Sequence, residues 1–129
     1  MVTFKQKNIS FLEINGSKFY AIFFGLDSKN DFKDNLENIK KEYKKAKHYV
    51  YAYRCVNGSK STDDNEPKGT AGRPLLELLY KKDLMNVAIV VVRYFGGTKL
   101  GASRLLRTYV NVAAKAIEGQ KFLEFLEEK

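Results

Sequence analysis

Two stretches of this 129-residue chain hold the residue types that chemistry would need. The first is "VVRYFGGTKLGASRLLRTY", residues 91–109. Gly96, Gly97 and Gly101 let backbone N–H groups approach a ligand closely, and the start of the helix that follows carries partial positive charge. Arg93, Lys99, Arg104 and Arg107 surround that turn. Arg104 and Arg107 stand at i and i+3, on one helix face, where two guanidiniums can clamp a phosphate. The spacing is neither that of a P-loop nor G-x-G-x-x-G, so tight packing of strand against helix stands beside anion binding as a reading of the turn. The second stretch is "DDNEP", residues 63–67. Asp63, Asp64 and Glu66 offer oxygen ligands that suit Mg²⁺. The pattern is not an EF-hand, and the favoured role is electrostatic: an acidic loop that pairs with Arg73, Arg93, Arg104 or Arg107.

Nucleophilic catalysis has little to work with. The single His48 and single Cys55 lie in one β-like run, on opposite faces by parity and about 23 Å apart at ~3.3 Å per residue. Ser61 and Thr62 have no neighbouring base. No Cys/His cluster has zinc spacing, so the expected catalytic set and the expected metal set are both empty.

These residues need elements to position them. Asn15-Gly16 separates two β-rich runs and predicts a hairpin of strands near 8–14 and 17–25. Phe32, Leu36, Ile39 and Tyr43 recur at helical spacing, with Asp27 or Ser28 to cap the start and lysines 40, 41, 44, 45 and 47 at the end. A strand over about 47–56 puts Tyr49, Tyr51, Tyr53 and Cys55 on one side. A tyrosine row is a packed sheet face or a stacking platform for bases, and packing is the favoured reading. Residues 57–69 are polar and aperiodic and read as a long loop. A short helix follows, with Pro74 in its first turn and Leu75, Leu76, Leu78 and Leu79 as its inner face. Residues 86–95 are almost continuously apolar, the mark of a central strand. The last helix turns Leu105, Tyr109, Val112 or Ala113, and Ala116 or Ile117 inward, and Gly119 is its expected stop. The order predicts an α+β fold: a two-layer sandwich of about four strands with helices packed on the sheet.

Composition sets the class. With 44% hydrophobic residues, 9 Phe and 8 Tyr, the chain is globular. Twenty-three Lys and Arg against 15 Asp and Glu give a formal charge of +8, which favours an anionic partner: RNA, the ribosome or an acidic protein. One cysteine excludes an internal disulfide. No apolar run nears the ~20 residues of a membrane span, and the N-terminus has no signal-peptide core, so a cytoplasmic protein without membrane contact is expected.

The two motifs taken together, with the "AKHYVYAYR" strand before them, resemble the IMPACT family, also called the YigZ family. The resemblance is well placed from His48 to about Gly119. Its matching positions are Asp63, Asp64, Glu66, Pro67, Gly69, Thr70, Ala71, Gly72 and Pro74 in the first motif. In the second they are Arg93, Tyr94, Phe95, Gly96, Gly97, Lys99, Leu100, Gly101, Arg107 and Tyr109. Asn65 stands where the family has Gly, and Ser103 and Arg104 stand where it tends to have Gly-Gly. The resemblance implies a ribosomal-protein-like fold similar to domain IV of the translocating elongation factors, with helices on one side of the sheet. It also implies cytoplasmic proteins linked to control of translation. Bacterial relatives tend to carry a second, ferredoxin-like domain, so residues 1–119 are expected to form one domain and 120–129 a tail with that second domain absent.

The expected function is a non-enzymatic binding module linked to translation regulation. Its site is expected at Arg73, Arg93, Gly96, Gly97, Lys99, Gly101, Arg104 and Arg107, without a required cofactor. Two alternatives stay open: an enzyme acting on a phosphorylated small molecule with Mg²⁺ at the acidic loop, and an adaptor for an acidic protein.

Overall fold

A computed structural model describes residues 7–127, with side chains described through residue 119. Five strands form one antiparallel sheet: β1 (Asn8–Ile14), β2 (Ser17–Gly25), β3 (His48–Cys55), β4 (Gly58–Thr62) and β5 (Val87–Tyr94), in the order β1-β2-β5-β3-β4. Three helices accompany it: α1 (Lys29–Glu42), α2 (Gly72–Lys81) and α3 (Ala102–Glu127). None of the helices among the described residues is long and apolar enough to cross a membrane.

The apolar run of β5 is explained by its central position. It pairs with β2 on one side and β3 on the other, and every residue from Val87 to Arg93 is buried. Side-chain alternation then divides the core in two. Phe19, Ala21, Phe23, Val50, Ala52, Ile89 and Val91 face α2 and α3, where Leu75, Leu79, Tyr109 and Val112 meet them. Ile22, Phe24, Val90 and Val92 face α1 through Phe32 and Ile39. The helices therefore cover both faces of the sheet in this α+β sandwich, where the resemblance set out above implies helices on one side. The tyrosine row is a packed face: the Phe32 ring lies 4.6 Å from that of Tyr51 and 4.7 Å from that of Tyr53.

Local signals act where they stand in the chain. Asn15 and Gly16 take φ of 48° and 84°, the left-handed pair of a two-residue hairpin turn. Ser28 caps α1, with Asp31 completing a reciprocal capping box.

Two expectations change. The fifth strand, β4, occupies the start of the expected 57–69 loop and pairs with β3 through the Cys55–Gly58 register. It is an edge strand whose side chains are exposed or half-buried, so it carries no apolar alternation to reveal it. Gly119 does not stop α3, which continues to Glu127 through most of the expected 120–129 tail. The side chains of that segment lie outside the described residues. Gly119 instead lies against the Asn8 side chain of β1, whose Nδ2 a Cβ there would meet at 2.0 Å. Asn8 Nδ2 donates to the Ala116 carbonyl, and Ser10 Oγ donates to that of Val112 at 2.5 Å.

Candidate functional site

The acidic loop organises the site, and its three carboxylates do different things. Asp63 accepts hydrogen bonds from the amides of Gly69 (2.9 Å), Ala71 (3.2 Å) and Gly72 (2.8 Å), which ties off the approach to α2. Gly72 is required there, because a Cβ would meet the Thr62 carbonyl oxygen at 2.2 Å. Asp64 accepts from the Tyr49 amide at 2.7 Å, which joins the loop to β3. Asp64 and Asn65 both have positive φ, 43° and 69°, a conformation that Asp and Asn tolerate better than other non-glycine residues. Only Glu66 pairs with a base. Asp63 and Asp64 serve backbone amides rather than the arginines expected for them. Among the described residues no three His, Cys, Asp or Glu side chains converge on a metal position.

Glu66 is the centre of a buried polar cluster. Arg93 Nη1 donates to both of its oxygens, at 2.9 and 2.7 Å, and the Tyr109 hydroxyl donates to Oε2 at 2.5 Å. His48 Nδ1 lies 2.6 Å from the Asp64 carbonyl, which can only accept, so Nδ1 carries a proton. His48 Nε2 then faces Glu66 Oε1 at 3.4 Å. Arg93 Nη2 donates to Ser17 Oγ at 3.3 Å, and the Gly96 amide donates to the same oxygen at 3.1 Å. Arg93 Nε is buried and has no acceptor. Burial first, then the Glu66 charge and hydrogen bond, push the Tyr109 phenol far above its ordinary range. This cluster draws on β2, β3, β5, the loop and α3. It joins them around one ion pair whose side chains are 5% and 3% exposed.

The Gly turn answers both readings set out from the sequence, glycine by glycine. Gly96 is a packing residue: a Cβ there would lie 2.1 Å from the Gly16 carbonyl carbon of the β1–β2 turn. Gly97 and Gly101 adopt φ of 90° and 80° in open space. The Leu105 amide bonds to the Gly101 carbonyl, so Gly101 is the N-cap of α3. The next three amides begin the helix without intrahelical acceptors.

Two clefts of about 460 Å³ flank the first turns of α3. One has His48, Glu66 and Arg93 as its buried floor, Pro67, Phe95, Leu100 and Leu105 as walls, and the exposed Lys47 and Lys99 at its edge. The other holds exposed Arg104 and Arg107 with Glu13, Asn15 and Asn111 beside the β1–β2 turn. Arg93, Lys99 and Arg107 are therefore not brought together on one ligand: Arg93 is buried against Glu66, and Arg107 faces the other cleft. Arg73 lines neither cleft and pairs with Glu77 at 3.6 Å. Lys47 is the residue that sequence reasoning missed, because it reads as one more lysine at the end of a helix. The bond from its amide to the Arg93 carbonyl, 2.9 Å, places it.

Residues 15–117 match the family model of the Impact N-terminal domain. The chain is 37% identical over 110 residues to the IMPACT family member YvyE of Bacillus subtilis, covering 83% of this chain and 51% of that protein. It is 32% identical over 117 residues to the IMPACT family member YigZ of Escherichia coli, covering 84% and 57% respectively. The chain thus spans about half the length of the curated relatives it matches. Among solved structures, a crystal structure described only as that of a hypothetical protein superposes with a TM-score of 0.85 at 28% identity, covering 91% of this chain and 59% of that one. The two-domain translational regulator Yih1 superposes with a TM-score of 0.55 at 26% identity, covering 90% and 49%.

Proposed function

The chain belongs to the IMPACT family, and on that premise we propose that it is a non-enzymatic binding module of translation regulation. Its proposed ligand is phosphate-rich RNA, free or within the ribosome, held on the basic face around the start of α3. The link to translation rests on the likeness to Yih1, a translational regulator. The proposed setting is the cytoplasm, in keeping with the free, buried thiol of Cys55.

One observation carries the reading: four exposed cations, Lys47, Lys99, Arg104 and Arg107, stand in the two clefts along α3. The one carboxylate in the first cleft, Glu66, is already matched by Arg93. Exposed cations contribute little to folding, and a phosphate backbone gains from each one it meets. The same cluster argues against catalysis at Glu66, since both of its oxygens already accept hydrogen bonds from the protein.

Binding of a short single-stranded RNA, measured by fluorescence anisotropy across a salt series, tests this. The double substitution Lys99→Ala/Arg107→Ala should weaken binding and reduce the slope of log affinity against log salt by about 1.4, for two phosphate contacts on a single strand. Arg73→Ala should change neither. Unchanged affinity and slope in the double variant would refute the proposal.

A further inference from the structure

We infer that the cleft between the Gly turn and the acidic loop receives one unpaired base of the bound strand, with Phe95 as its stacking surface and the adjoining phosphate beside Lys99 and Lys47. The inference rests on the RNA-binding reading and specifies what that site recognises.

Three features of the cleft lead to it. Its volume, about 460 Å³, lies within the range of ~300–1,000 Å³ that small-molecule sites occupy. Its walls are Pro67, Phe95, Leu100 and Leu105, which a bare phosphate would leave without a partner. Its charge is positive: Lys47, Lys99 and Arg93 stand against Glu66 alone, so a purely apolar ligand would leave two exposed ammonium groups unused. A ligand that is flat and apolar and ends in an anion satisfies all three, and a nucleotide has that chemistry.

Phe95 is the aromatic side chain of the cleft, and the fold leaves it half exposed. It follows the last paired residue of β5 and remains 47% exposed. The Arg93 guanidinium, 5.3 Å from the Phe19 ring and 5.7 Å from the Phe95 ring, ties Phe95 to the floor of the cleft. An exposed aromatic beside a basic groove is how single strands are held without sequence preference, because every base has a π-face. In a duplex those faces are already stacked, so the cleft selects unpaired RNA.

The test uses the whole chain and three probes of equal phosphate number: a short single-stranded oligoadenylate, its abasic counterpart and a duplex of half the length. The abasic strand and the duplex should each bind about tenfold more weakly than oligoadenylate, or worse. Phe95→Ala should bring oligoadenylate to the abasic level without altering its salt slope, and Phe95→Trp should keep the parent's affinity. A strand carrying 2-aminopurine should be quenched on binding to the parent and not to Phe95→Ala. Melting temperatures of both variants check folding, and Phe95→Trp with the abasic probe decides the matter should Phe95→Ala be unstable. Equal binding of abasic and normal strands, with salt dependence intact, overturns this inference and leaves the RNA-binding reading standing. Absence of binding to any of the three, with capture of an acidic peptide instead, overturns both.

Discussion

Replacing Glu66 by alanine should be among the most destabilising single changes in this protein, and its size follows from the buried cluster. The carboxylate accepts two hydrogen bonds from Arg93 Nη1 and one from the Tyr109 hydroxyl, in a site where the ion-paired side chains are 5% and 3% exposed. Its removal leaves a guanidinium without a counter-charge among Phe19, Phe95 and β5. Breaking a buried pair in this way costs about 3–5 kcal/mol. For a domain of this size that corresponds to a fall in Tm of about 10–20 °C. The pair itself is a poor source of stability, because desolvation offsets most of its attraction. Removing both partners with Glu66→Leu/Arg93→Met should therefore cost less than Glu66→Ala alone. Urea denaturation followed by circular dichroism measures both, since the chain has no Trp to report by fluorescence. A double-mutant cycle on Glu66→Leu, Arg93→Met and the pair should give a coupling of about 2 kcal/mol or more. A Glu66→Ala cost below about 1 kcal/mol, or a coupling near zero, would refute the reasoning that one buried ion pair joins the loop to the sheet.

Three further outcomes are expected. Gly96→Ala should prevent folding or cost several kcal/mol, because its Cβ would collide with backbone at 2.1 Å, whereas Gly97→Ala, strained only by a φ of 90°, should cost about 1–2 kcal/mol in thermal or chemical melts. Asp63→Ala should lower stability by about 2 kcal/mol, as three amides before α2 lose their acceptor, and a Mg²⁺ titration of the parent should leave Tm flat. The Tyr109 phenol is raised above its ordinary value of 10.0, so its contribution to stability is complete below that pH and declines as pH rises beyond it. An absorbance titration should accordingly show one tyrosine that ionises only with unfolding, and a Tyr109→Phe variant should lack that late step.

Much of the architecture was legible in the chain because it rests on local signals. The Asn15-Gly16 turn, the helical spacing of Phe32, Leu36 and Ile39, and the apolar run of 86–95 each act within a few residues of themselves. They read correctly without knowledge of their neighbours. Two motifs in order, with matching spacing, were enough to show the family. Where the sequence misled, the cause was distant in the chain. Strand β4 is polar because it is an edge, and Gly119 is small because Asn8, 111 residues earlier, lies against it. Neither fact leaves a local trace.

The site divides along the same line. The amino-acid sequence by itself determined which residue types would be present: a loop with three carboxylates, a turn with three glycines, and cations on both sides of it. Which carboxylate meets which cation was decided only by tertiary structure, because a buried charge must find its partner where the fold brings one. Glu66, 27 residues before Arg93, lies against it once the loop folds onto the sheet, while Asp63 and Asp64, beside it in sequence, turn to backbone amides. By the same geometry the basic residues of one short motif part company. Arg93 points into the core as an odd-numbered residue of a central strand, Lys99 stands in the turn before α3 at the edge of one cleft, and Arg107, on α3 itself, lines the other.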